Sequence, residues 1–169
     1  YKEKYENDLE KGLPRIPKVK NIEKYVKIGK KLADLHLNYE KVPFWESVEV
    51  RVNNEVNPNY KVNQMKHNKK VNKEGKKVND LTKIIYNSDI ELLNIPIEAY
   101  NYQVNGKSAI GWIIDQYQIN TDNKTGIVND PNEFSDDPKY ILNLLLSIIT
   151  VSMRTLELID ELPEFEVIE

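Results

Sequence analysis

The chain has 169 residues, 40% hydrophobic and 30% charged, enough for one domain with a proper core. It has no cysteine, which excludes disulfides and Cys-ligated zinc, and its net charge of −3 argues weakly against nucleic acid. No apolar run approaches the roughly 18 residues of a membrane span, and the first residues lack a signal-peptide pattern, so the expected setting is cytoplasmic with no membrane partner.

The charge is unevenly placed. Residues 1–50 carry eleven basic and nine acidic side chains, residues 51–90 nine and four, and residues 91–169 four and fourteen. The net charges are therefore +2, +5 and −10. A basic middle beside an acidic end can form one positive face on an acidic body, or merely a solvated lysine-rich loop. The chain begins at Tyr1 without a Met, which reads as a piece of a longer polypeptide.

In chain order, residues 2–11 read as a short charged helix that Gly12 can end, and Pro14 and Pro17 hold Leu13 to Lys18 extended. Asn21 is a candidate N-cap for a helix over about 22–40. Ile22, Tyr25, Val26, Leu32, Ala33 and His36 follow its 3.6-residue period, and His36 reads as a packed, hydrogen-bonded histidine. Ser47 to Asn53 alternates as a half-buried strand, with Val48, Val50 and Val52 on one face. Residues 53–59 read as a turn. Tyr60 to Lys66 reads as a second strand with Val62 inward, and Lys66 to Asp80 as a polar loop with Gly75 near its tip.

Ile84 to Tyr86 starts a further strand, and Asn87-Ser88-Asp89 turns it back into Ile90 to Leu93 as a hairpin that Pro96 stops. Tyr102 leads through a short strand and an Asn105-Gly106 turn into an amphipathic helix with Ala109, Ile110, Trp112, Ile113 and Tyr117. A polar loop closes on Gly126. Asp137 then caps a long helix with Pro138 at its first position, running to about Asp160. Residues 141–149 are apolar nearly all round, so this helix should be the buried pillar of the fold. The fold class expected is α+β, a small, mostly antiparallel sheet packed on helices with a long buried C-terminal helix. The whole chain reads as a single domain, with residues 1–20 as a lead-in and 21–169 as the main body.

Several short motifs fail as catalytic sites. Gly106-Lys107-Ser108 resembles the end of a phosphate-binding loop, but the required first glycine is Asn101. A helix start with Lys107 in its first turn can still hold a DNA phosphate. Asn57-Pro58-Asn59-Tyr60 lacks the second proline of the adenine-methyltransferase loop that grips a flipped base. Glu74-Gly75-Lys76 has a nuclease-like spacing but sits in a glycine-containing stretch with no upstream acidic ligand. His36 and His67 make no zinc site, and the acids at 130, 133, 136 and 137 read as loop and cap residues.

The basic stretch remains. Lys61, Lys66, Lys69, Lys70, Lys73, Lys76 and Lys77 face only Glu74 between residues 60 and 77, with Asn63, Gln64, His67, Asn68 and Asn72 interleaved. Lysines neutralise phosphates, and amides read adenine edges. The candidate DNA-binding residues are Arg51, Asn63, Gln64, Lys66, His67, Asn68, Lys69, Lys70, Lys76, Lys77 and Lys107.

Five segments together resemble one family. They are Tyr1, Tyr5 and Leu13-Pro14-Arg15-Ile16-Pro17; Gly29 to Glu40; Ile84 to Asn87 leading to Ile95-Pro96 and Ala99-Tyr100; Val104 to Ala109 followed by Trp112; and Thr125 to Asn132. In this order and spacing they are similar to the C-terminal specificity domain of Type ISP restriction-modification enzymes and related large adenine-N6 DNA methyltransferases. The resemblance implies a target-recognition module that binds duplex DNA beside upstream methyltransferase and ATPase/nuclease domains. It also implies that catalysis lies upstream, with S-adenosylmethionine, ATP and Mg as the parent's cofactors and none in this chain. Gly111 stands where a larger polar residue is expected in relatives. Two other readings stay open, a scaffold supporting the methyltransferase and a small enzyme using the acids at 130–137.

Overall fold

The computed structural model describes residues 18–53 and 56–168, so the expected helix over 2–11, the proline segment and the Tyr1 to Pro17 motif lie outside the described residues. The fold is α+β. Helix α1 spans Ile22–Leu37 and is followed by a 3-10 turn over Tyr39–Lys41. Asn21 takes the position before the helix, but with φ 59° and no side-chain cap, so its role is conformational rather than the expected hydrogen bond.

Four strands form the main sheet: β1 (Glu49–Val52), β2 (Lys66–Val71), β3 (Lys77–Ile85) and β4 (Ile90–Leu93), in the antiparallel order β1-β4-β3-β2. Val50, Leu92, Ile84 and His67 form one row across it, by register, and turn toward the core. Arg51, Glu91, Ile85 and Lys66 form the neighbouring row on the opposite face. The hairpin at Asn87 to Asp89 is as expected; the Asn87 side chain accepts from Asp89 N and Ile90 N, each at 2.8 Å.

Two expectations for residues 60–80 are corrected. Residues 60–65 are irregular rather than a strand, although Val62 is fully buried. The Asn132 side chain takes the place of a neighbouring strand: Val62 N donates to its Oδ1 at 2.8 Å, and its Nδ2 donates to Val62 O at 2.9 Å. Residues 66–80 are not a loop but the β2–β3 ribbon, turned over Asn72 to Lys76 with Gly75 at φ 76°. Asn132→Ala strands two buried backbone groups, so it should cost about 1–3 kcal/mol of stability, read as a lowered melting temperature.

A short hairpin, β5 (Gln103–Val104) and β6 (Lys107–Ser108), follows a 3-10 turn and is closed by Asn105 (φ 52°) and Gly106 (φ 77°). Positive φ at both central residues is the signature of a type I′ turn. Helix α2 (Ala109–Gln116) starts at a Ser108 cap whose Oγ accepts from Gly111 N. Lys107 therefore precedes the helix instead of lying in its first turn. A Cβ at Gly111 would sit 2.9 Å from Ser108 Oγ, so a larger residue there must displace this cap. The polar loop after α2 holds a two-residue ribbon, β7 (Asn120–Thr121) with β8 (Val128–Asn129).

The C-terminal helix α3 spans Tyr140–Asp160, about 32 Å at 1.5 Å per residue. It starts later than expected. Asp137 Oδ1 accepts from Lys139 N at 2.9 Å and its carbonyl from Tyr140 N, a turn that leads into the helix. By length and mean hydropathy (1.5) α3 could cross a membrane, unlike any stretch read from the sequence. Eleven of its residues are instead buried. Leu142, Leu145 and Ile149 share one apolar cluster with Ile84, Ile90 and Leu92 of the sheet and Ile110 of α2. Helix α1 packs along α3, with Tyr25 Oη donating to Pro163 O at 2.9 Å.

Candidate nucleic-acid interface

The ribbon is positioned by an irregularity in its own pairing. Lys66 and His67 face Ile85 and Ile84, but Asn68 faces Asp80, so Leu81, Thr82 and Lys83 fall out of register. Asp80 holds this kink: its Oδ1 accepts from Thr82 Oγ1 at 2.8 Å, Thr82 N at 3.2 Å and Lys70 Nζ at 3.1 Å. The Thr82 hydroxyl first, and Lys70 after it, keep the carboxyl below the usual carboxylate range. Strand β4 pairs with β3 only at Ile84 and Ile85, and Ile95 N reaches Thr82 O at 3.1 Å. Among the described residues, β3 from Lys77 to Asp80 therefore pairs with β2 alone, and the basic stretch projects from the sheet as a two-stranded ribbon.

The candidate residues divide by environment. Lys66, Lys69, Lys73 and Lys77 are exposed and form no ion pair among the described residues. Lys70 is paired with Asp80 at 3.1 Å and Lys76 with Glu74 at 3.3 Å, both on the ribbon. Asn63 and Gln64 are exposed in the irregular segment before β2. Arg51 lies on the outer sheet face, 3.8 Å from Glu91, which also takes Lys83 at 2.9 Å.

Two candidates are turned to protein partners. Lys107 pairs with Asp115 and lies 5.1 Å over the Trp112 ring, whose Nε1 donates to Val104 O. It buttresses the β5–β6 hairpin on α2. His67 stacks at a tilt on Tyr100, ring centroids 5.5 Å apart, and its Nδ1 is buried. Burial lowers the His67 pKa and raises that of Tyr100. A histidine kept neutral by folding takes up its proton more readily when unfolded. Stability should therefore decline as pH falls through about 6.5, and His67→Leu should flatten that decline in melts at pH 5–8.

His36, read as packed among leucines, is exposed but hydrogen-bonded. Its Nδ1 donates to Leu32 O at 2.8 Å, while Tyr102 Oη and Thr155 Oγ1 each lie 3.2 Å from Nε2. The acids at 130 and 137 are engaged in turns, Asp130 accepting from Asn132 N and Nδ2 and Asp137 from Lys139 N. Away from the ribbon, a groove of about 680 Å³ runs between α1, residues 42–47 and the end of α3. Leu35, Phe44, Trp45 and Leu158 line it, and Arg154 lies 5.0 Å over the Trp45 ring.

Asn79 was missed by the sequence reading. It lies opposite Lys69 and accepts a hydrogen bond from its Nζ. Only the register shows that it belongs to the same surface as the lysines.

The fold recurs in solved structures. A nuclease-deletion mutant of the Type ISP restriction-modification enzyme LlaGI, in complex with a DNA substrate mimic, is 61% identical over 98% of this chain, with a TM-score of 0.86. The ATP-dependent Type ISP restriction-modification enzyme LlaBIII, bound to DNA, is 60% identical over 99%, also with a TM-score of 0.86. The DrdV-DNA complex shares the fold at 23% identity over 99% of this chain, with a TM-score of 0.73. This chain spans only 13%, 10% and 17% of those chains, respectively. No curated protein matches it. The family model of the Type ISP C-terminal specificity domain matches residues 1–144, and the chain belongs to that family.

Proposed function

We propose that this chain is a DNA target-recognition module, part of a larger recognition domain, that binds duplex DNA and positions it for the methyltransferase and nuclease of its parent polypeptide. The observation that carries this reading is the projecting ribbon, whose exposed lysines without an ion pair among the described residues meet the charge requirement of a phosphate backbone despite the chain's net −3. The LlaGI structure in complex with a DNA substrate mimic and the LlaBIII structure bound to DNA support it. In this reading the chain performs no catalysis. S-adenosylmethionine, ATP and Mg are used by upstream domains, and the parent acts in the cytoplasm. Of the residues read from sequence, Lys66, Lys69 and Lys77 are assigned to phosphate contact, with Lys73 added. Lys70 and Lys76 are secondary because each has a carboxylate beside it.

The test is a titration of the full-length parent with duplex DNA at several salt concentrations, for parent and ribbon variants. Reduced affinity and a flatter salt dependence in the variants support the assignment. Saturable binding of S-adenosylmethionine by this chain alone would contradict the absence of catalysis here.

A scaffold reading is favoured by the groove beside Trp45, which suits packing against another domain. It predicts normal DNA binding in every ribbon variant.

A further inference from the structure

Strand alternation sorts the ribbon into two faces. One carries Asn68, Lys70, Val78 and Asp80; it is partly buried and closed by the Lys70–Asp80 pair. The other carries Lys69, Val71, Lys77 and Asn79, all exposed. Val71 is 64% exposed, although an apolar side chain on a projecting ribbon contributes nothing to the core. Asn79 accepts from Lys69 Nζ at its Oδ1, while its amide NH2 has no partner among the described residues. The face therefore presents, side by side, an apolar side chain, an amide with free donors and two lysines.

We infer that this second face enters the major groove of duplex DNA, with Asn79 reading an adenine edge, Val71 packing on a thymine methyl, and Lys69 and Lys77 on the flanking phosphates. This rests on the DNA-binding reading above. The chemistry of the groove fits the set: adenine offers an N7 acceptor and an N6 donor that an amide pairs bidentately, and thymine offers a methyl group. The dimensions fit as well. The major groove, about 12 Å wide and 8.5 Å deep, admits a two-stranded ribbon. Laid face-on, the paired segment from Asn68 to Val71 covers about 10 Å, three rises of about 3.3 Å, so one face presents Val71 and Asn79 together. The minor groove, about 6 Å wide, is too narrow for it and lacks the thymine methyl.

The experiment selects duplexes from a random-sequence library with the full-length parent and with N79A, V71A and K77A, all exposed positions. K77A should weaken binding to every duplex alike and reduce the salt slope by about one unit. N79A should lose discrimination at one base-pair position, roughly 5- to 150-fold. V71A should lose preference for thymine at one position. Replacing that thymine by deoxyuridine should reproduce the loss in the parent and add nothing in V71A. If N79A and V71A select the parental sequence while K77A still weakens binding, base reading is overturned and the phosphate role stands. If K77A is also unchanged, the DNA-binding assignment of the ribbon falls with it.

Discussion

Replacing Lys66, Lys69, Lys73 and Lys77 together with glutamate should cripple duplex binding by the parent polypeptide, and with it both methylation and cleavage. Each phosphate neutralised by a lysine adds about 0.9 to the slope of log affinity against log salt. Four contacts therefore give about 3.6 units, and raising salt from 50 to 200 mM should cost the parent roughly a hundredfold more affinity than the variant. Glutamate adds repulsion, so the loss at low salt should exceed that of the alanine counterparts. All four positions are exposed and form no ion pair among the described residues, which keeps the effect on folding small. Parallel loss of both activities is expected because one recognition domain would serve both. Loss of cleavage with normal methylation would place the ribbon elsewhere in the reaction.

Leu145→Asp should abolish the folded state. Leu145 is completely buried on α3, in the cluster that joins the helix to the sheet. Truncating such a leucine to alanine costs about 2–5 kcal/mol, and an unpaired carboxylate in its place adds a desolvation penalty of several more. Domain stabilities are only about 5–15 kcal/mol, so no cooperative melt should remain. Leu145→Met, which conserves volume, should cost less than about 1.5 kcal/mol. Near-parental melting of Leu145→Asp would mean that this face of α3 is not in the core.

What the sequence made legible follows burial. The apolar run from Ile141 to Ile149 announced α3 because nearly every face of that helix is covered. Val48, Val50 and Val52 announced β1 because one side of the sheet is packed. The Asn105-Gly106 pair announced its turn through backbone sterics alone. The ribbon escaped because its paired residues from Asn68 to Asp80 project past the sheet and neither face is fully buried. Lys-His-Asn-Lys-Lys carries no alternation, and lysine and asparagine have low strand propensity. The irregular course of residues 60–65 escaped for another reason. Val62 was correctly read as inward, but its hydrogen-bond partner is a side chain 70 residues away, at Asn132. Asp137 and Pro138 gave the right place and the wrong role, because a turn intervenes before the helix begins. The same limits apply to the site. Composition marked the lysines, but only the register separates Lys69 and Lys77 from the neutralised Lys70, and only the register brings Asn79 beside them.

The most direct test of the ribbon's role is lysine reactivity in the full-length polypeptide, followed residue by residue with and without saturating duplex DNA. Lys66, Lys69, Lys73 and Lys77 should lose reactivity toward an amine-modifying reagent when DNA is bound, while the exposed Lys24, Lys27 and Lys30 of α1 should remain as reactive as before. Unchanged reactivity of the ribbon lysines in a DNA-saturated complex would contradict the account.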